Sequence, residues 1–138
     1  MRIMAIDYGD AHTGIAISDP TGLLAGFTTV INSRQQEVVV EQVTLLAKEH
    51  GAEELVLGHP VNMDGTLGPR SEKAKAMKVL LEEATALPVV LWDERRTTID
   101  AHNILFNSGK NAKQRKKVVD AVAASLILEG YLTFKKSH

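Results

Sequence analysis

A chain of 138 residues, 44% of them hydrophobic, has the length of one domain, here residues 1–138, and can bury about two-thirds of its unfolded surface without metal or disulfide staples. The absence of cysteine excludes disulfide scaffolds, Cys-ligated zinc or iron–sulfur centres and thiol nucleophiles. No apolar run approaches the ~18–20 residues that span a bilayer, so the expectation is a cytoplasmic protein with no membrane partner. A net charge of −1 argues against nucleic acid only until it is divided by position: residues 1–69 hold 3 basic and 9 acidic side chains, whereas residues 70–138 hold 13 and 8.

Residues 2–6 form a short apolar run ended by Asp7-Tyr8-Gly9-Asp10, and Gly14 to Ser18 form a second ended by Asp19-Pro20, which predicts two strands around a glycine-containing turn. Leu23 to Ile31 reads as a third strand, because Phe27 through Ile31 favour extended backbone. The period then changes. Val39, Val43, Leu46, Ala47 and His50 recur at three- and four-residue steps, predicting a helix over 34–50 with Gly51 as its stop. Leu55-Val56-Leu57 is a short buried strand, and the stretch from Pro60 to Pro69 is a loop by its turn formers.

A second helix fits Arg70 to Thr85, with Ala74, Met77, Leu81 and Ala84 on one face. Val89 to Trp92 is the last strand, running into Asp93-Glu94-Arg95-Arg96. A third helix fits Thr98 to Asn107, the basic cluster Lys110, Lys113, Arg115, Lys116 and Lys117 follows, and a final helix runs from about Lys116 to Tyr131. The order β-β-β-α-β-α-β-α-α implies an α/β fold with one mixed sheet, because strands separated by helices pair in parallel.

In such sheets, ligands collect outside the carboxyl ends of the strands. Asp7 closes the first strand, and Asp93 and Glu94 close the last. Asp120 lies in a helix apolar on nearly every face, so its carboxylate needs a partner. That partner is a neighbouring lysine, a backbone cap, or a divalent cation shared with Asp7 and Glu94. Three carboxylates meeting at one end of a sheet make a hard oxygen site suited to Mg²⁺ or Mn²⁺. Two such ions about 3.5–4 Å apart can activate a water and stabilise the leaving oxygen in phosphodiester cleavage. The basic cluster beside Asp120 is either a solvated helix start or the track that holds a phosphate backbone.

The pattern Asp7-Tyr8-Gly9 with Gly14, then Gly58-His59-Pro60-Val61-Asn62-Met63-Asp64-Gly65, then Asp93-Glu94-Arg95 with Thr97-Thr98, then Lys116-Lys117-Val118-Val119-Asp120, resembles the bacterial Holliday-junction-resolvase-like proteins known as pre-16S rRNA nucleases. The resemblance covers essentially the whole chain. It implies a ribonuclease-H-like fold with a five-stranded mixed sheet, its second strand antiparallel, flanked by helices. It also implies metal-dependent nuclease activity on structured nucleic acid, with the 5′ end of the pre-16S rRNA as the favoured substrate and branched DNA as the alternative. Carried over by position, Asp7, Glu94 and Asp120 would be the catalytic metal ligands. Alternation along a strand would set Asp93 and Glu94 on opposite faces, which favours Glu94.

Related junction resolvases place a glutamate at the end of the fourth strand, where this chain has Gly58-His59-Pro60, so its carboxylate set is rearranged. His59 is a substrate contact, a metal ligand or a turn side chain. Asn62 and Asp64 would bind substrate or close an Asx-type turn around Gly65. Arg95 would clamp a phosphate bidentately or pair with an intramolecular acid, and the basic cluster from Lys110 to Lys117 would bind the backbone. Tyr8 and His12 in the first turn have both a structural and a substrate-binding reading.

Two other readings compete. Sugar kinases and chaperone ATPases also open with Asp-x-Gly before a hairpin, but they need two lobes, and this chain has the length of one and no Gly-x-x-x-x-Gly-Lys-Ser/Thr loop. A non-catalytic nucleic-acid-binding or assembly factor would keep the fold and the basic segment without the chemistry. The sequence leaves oligomeric state open.

Overall fold

The computed structural model describes residues 1–19, 25–59, 68–93 and 112–137. Five strands form one sheet: β1 (Arg2–Asp7), β2 (His12–Ser18), β3 (Ala25–Asn32), β4 (Ala52–His59) and β5 (Val89–Asp93). Their spatial order is β3-β2-β1-β4-β5. The hairpin partners β1/β2 and β2/β3 are antiparallel, whereas β1/β4 and β4/β5 are parallel, so β2 alone runs against the rest, as expected. The helices are α1 (Gln36–His50), α2 (Pro69–Thr85) and α3 (Ala112–Ser137). The helix expected over 98–107 lies outside the described residues.

Alternation along the strands divides the core in two. Met4, Ile6, Ile15, Ile17, Leu55, Leu57 and Val89 pack with Val39, Val43 and Ala47 of α1 and with Ala74, Met77 and Leu81 of α2. Ile3, Ala5, Ala16, Val56 and Trp92 face the other way, onto Ala124, Ile127, Leu128, Tyr131 and Leu132 of α3. Each fully buried Ile or Leu contributes about 1.5–3 kcal/mol through the area removed from water. β1 and β4 are apolar on both faces because helices cover both, which is why they read as continuous hydrophobic runs.

Several element ends differ from the sequence expectation, each for a local reason. β4 begins at Ala52 and not at Leu55, because its polar first residues are held by pairing with β1, Arg2 against Ala52 and Ile3 against Glu54. On α2 the buried row is Ser71, Ala74, Met77 and Leu81; Ala84 is exposed, and Ser71 extends the row one turn earlier because its hydroxyl has a partner in the interior. α3 starts at Ala112, since Lys, Arg and Gln are good helix formers and carry the helix back through the basic segment.

α1 stops at Gly51, whose φ of 67° lets its N–H reach the carbonyls of Ala47 and Lys48. The C-terminal half of α3 is tied to the start of β4: the Tyr131 hydroxyl donates to Glu54 Oε1, and Lys135 Nζ donates to Glu54 Oε2 at 3.2 Å. Burial, reinforced by the Glu54 carboxylate, pushes the Tyr131 hydroxyl pKa above its ordinary value. Among the described residues no helix is long and apolar enough to cross a membrane.

Candidate active site at the strand ends

Because β1, β4 and β5 are parallel, their carboxyl ends share one edge of the sheet, and the β1–β2 turn lies there too. Asp7 is the last residue of β1 and pairs with Gly14 of β2. Ile3 and Ala5 belong to the α3-side core, so alternation puts Asp7 on that face. Its flanking positions on the face are both glycine. Gly14 is its partner on β2, and Gly58 follows Leu57, the partner of Ile6, on β4. A half-buried carboxylate thus ends the central strand between two glycine positions. Asp7 has no hydrogen-bond or ion-pair partner among the described residues.

The direction of α3 follows from the Tyr131–Glu54 contact at the start of β4: the helix runs antiparallel to β1 and β4, and its earlier residues approach the carboxyl edge. Position 120 lies eleven residues before Tyr131, about 16 Å along a helix axis. From Glu54 to the end of β4 the strand covers a similar ~16 Å. The first turns of α3 therefore lie toward the strand-end edge, on the face of the sheet that carries Asp7. Lys113, Arg115, Lys116 and Lys117 occupy the first turns of α3, at this end of the molecule.

Other candidates have structural partners on the opposite face. His59 shares a face with Leu55 and Leu57, and its Nε2 hydrogen bonds Ser71 Oγ at 2.6 Å, joining the end of β4 to the first turn of α2. His12 Nδ1 meets Asn32 Oδ1 at 2.7 Å, joining β2 to β3. Tyr8 packs against the α1/α2-side core. Asp93 pairs with His59 and follows Val89 and Leu91 on that same side, so it is turned away from Asp7. Glu94, Arg95, Arg96, Asn62, Asp64 and Lys110 lie outside the described residues.

Among the described residues no group of three His, Asp or Glu side chains is gathered closely enough to hold a metal ion. The chemistry of Asp7 fits a hard divalent cation: a half-buried carboxylate with no hydrogen-bond or ion-pair partner among the described residues. Sequence reasoning named Asp7 and Asp120 but not the glycines that flank Asp7, Gly14 and Gly58. The signal was available only through strand register, which turns two glycines distant in sequence into neighbours of one carboxylate.

A five-stranded sheet of this order, with an acidic residue ending its central strand and a helix crossing that face, is the ribonuclease-H-like architecture of junction-resolving nucleases. A family model described as RuvX: Holliday junction resolvase matches residues 1–134, and the chain belongs to that family. A "Putative pre-16S rRNA nuclease" of Halothermothrix orenii is 43% identical over 135 residues, 98% of this chain and 96% of that protein. One of the same name from Carboxydothermus hydrogenoformans is 38% identical over 138 residues, covering 100% of both.

Among solved structures, Thermus thermophilus RuvC in complex with a Holliday junction substrate superposes with a TM-score of 0.64 at 14% identity, covering 99% of this chain and 96% of that one. At that identity the likeness is one of fold. A ROK hexokinase from Thermus thermophilus gives a TM-score of 0.52 at 23% identity over 75% of this chain, but only 38% of the kinase. The kinase-type reading thus shares the fold, and this chain spans well under half of such an enzyme.

Proposed function

We propose that this chain is a metal-dependent nuclease that hydrolyses phosphodiester bonds in structured nucleic acid, with the 5′ end of pre-16S rRNA as its substrate. The observation that carries the reading is Asp7, a carboxylate unpaired among the described residues, ending the central strand on the face covered by a helix whose first turns are basic. The names of the close relatives support the choice of ribosomal precursor RNA. Asp7, Glu94 and Asp120 would hold Mg²⁺ or Mn²⁺, with Glu94 preferred over Asp93 because Asp93 is turned to the other face. A cation held there supplies Lewis acidity to the scissile phosphate and lowers the pKa of an attacking water.

The chain's own residues do the rest. Lys113, Arg115, Lys116 and Lys117, with Lys110 just before them, neutralise backbone phosphates and bring the scissile bond to the carboxylates. Arg95 clamps a phosphate oxygen through its planar fork, and Asn62 contacts the substrate from the 60–67 segment. His59 acts at one remove, holding the end of β4 against α2.

Gly58-His59-Pro60 at the fourth-strand end, where related junction resolvases carry an acid, favours one second reading, a nucleic-acid-binding assembly factor without efficient chemistry. Purified protein with Mn²⁺ or Mg²⁺, challenged side by side with precursor rRNA ends, plain single strands and four-way DNA junctions, separates the readings. Cleavage of the precursor end is expected to rank first, and Asp7→Asn or Asp120→Asn to lower it by about 10²–10³-fold or more, the cost of one group that stabilises transition-state charge. Cleavage that survives both substitutions removes the carboxylate mechanism, binding without cleavage by the wild type supports the assembly factor, and a preference for four-way junctions makes branched DNA the substrate.

A further inference from the structure

The opposite side of the strand-end edge carries a second charged surface. Arg70 and Lys73, from the first turns of α2, line a shallow cleft with Tyr8, Asp10 and Ala74. Lys73 Nζ donates to Asp10 Oδ1 at 3.1 Å, an exposed pair that links α2 to the β1–β2 turn. Arg34 approaches from the segment between β3 and α1, which is pinned to the same turn by the Ser33 N–H on the Ala11 carbonyl at 3.0 Å. Lys73, and more weakly Arg70 and Arg34, hold the Asp10 carboxyl below its ordinary range. One cation would satisfy Asp10. The exposed guanidinium groups of Arg34 and Arg70 have no hydrogen-bond or ion-pair partner among the described residues.

The cleft lies next to Asp7 along the chain and across the sheet from it, since Tyr8 packs on the α1/α2 side while Asp7 faces α3. We propose that Arg34, Arg70 and Lys73 form a second phosphate-contact surface, so that a nucleic acid with two backbones is held on both faces of the sheet edge, one by α3 and one here. Asp10 limits the strength of that surface by neutralising part of its charge. The inference rests on the nuclease reading and adds substrate shape to it: a paired or branched substrate engages both surfaces, a single strand only one.

The test measures the affinity of an RNA hairpin and of a matched single strand between 50 and 200 mM salt. It compares the wild type, the Arg34→Ala/Arg70→Ala variant, Asp10→Asn, and a Lys113→Ala/Lys116→Ala/Lys117→Ala comparator. Loss of two phosphate contacts should reduce the salt slope for the hairpin by about 1.4–1.8, at 0.7–0.9 per contact, and leave the single strand nearly unchanged. Asp10→Asn should tighten hairpin binding several-fold. If the comparator weakens hairpin binding while Arg34→Ala/Arg70→Ala and Asp10→Asn both leave it unchanged, the second surface is refuted and the nuclease reading stands. If the wild type binds neither RNA, both fall together.

Discussion

Ala86 has a φ of 59°, the one positive value at a non-glycine residue among those described. It ends α2 by turning its N–H to the Glu82 carbonyl at 3.0 Å, the role that Gly51 plays for α1. Its Cβ crowds the carbonyl oxygen that follows, at a cost of about 1–2 kcal/mol. Glycine would remove that cost and return about 0.4–1 kcal/mol to the unfolded chain as freedom. The first term is larger, so Ala86→Gly should stabilise the protein by up to ~1 kcal/mol and raise Tm by ~2–5 °C in a thermal melt. A lower Tm would mean that the left-handed cap carries no strain. Gly14 and Gly58 differ from these caps in sitting within strands, where they flank Asp7.

Between elements, Gly130 of α3 lies against Trp92 of β5. A Cβ added at Gly130 would lie 3.2 Å from Trp92 Cζ2, and the indole is packed edge-on against Tyr131 and Phe134, with centroids 5.9 and 5.8 Å away. Glycine inside a helix costs about 1 kcal/mol relative to alanine, so its presence here marks the close approach. Gly130→Val should lower the urea-unfolding free energy by about 1–3 kcal/mol through overpacking, whereas an unchanged midpoint would show that α3 can move off the sheet.

Much of this arrangement was legible in the sequence. The period change at Val39 marked α1, the apolar runs marked β1 and β4, and acids at strand ends marked the edge. What escaped depends on contacts between distant residues. Ser71 is buried because His59, on another element, bonds it. The basic segment has no apolar period of its own, so the start of α3 at Ala112 was not marked by one.

At the scale of the molecule, two cores share one sheet, so neither helical layer has a sheet of its own. Unfolding is therefore expected to be one cooperative transition. The chain has one tryptophan, Trp92, which lies in the α3-side core, whereas Ile6 is fully buried in the α1/α2-side core. Ile6→Ala should cost about 2–5 kcal/mol. If the molecule unfolds as one unit, Trp92 fluorescence and far-UV circular dichroism should report the same lowered urea midpoint, although the substitution is across the sheet from the indole. Two separated transitions would divide the chain into independent layers. The division of charge has a similar logic: the acid that ends β1 comes from the acidic half, the first turns of α3 from the basic half, and the fold brings the two together.

That closure has a consequence for biosynthesis. β1 is made first and stays open on one face until α3, more than a hundred residues later, covers Ile3 and Ala5. The carboxylate proposed as the first metal ligand therefore cannot meet its counterpart on α3 in a partial product. A nascent enzyme of this kind would be inert toward RNA, including the RNA of the ribosome producing it, until α3 has emerged.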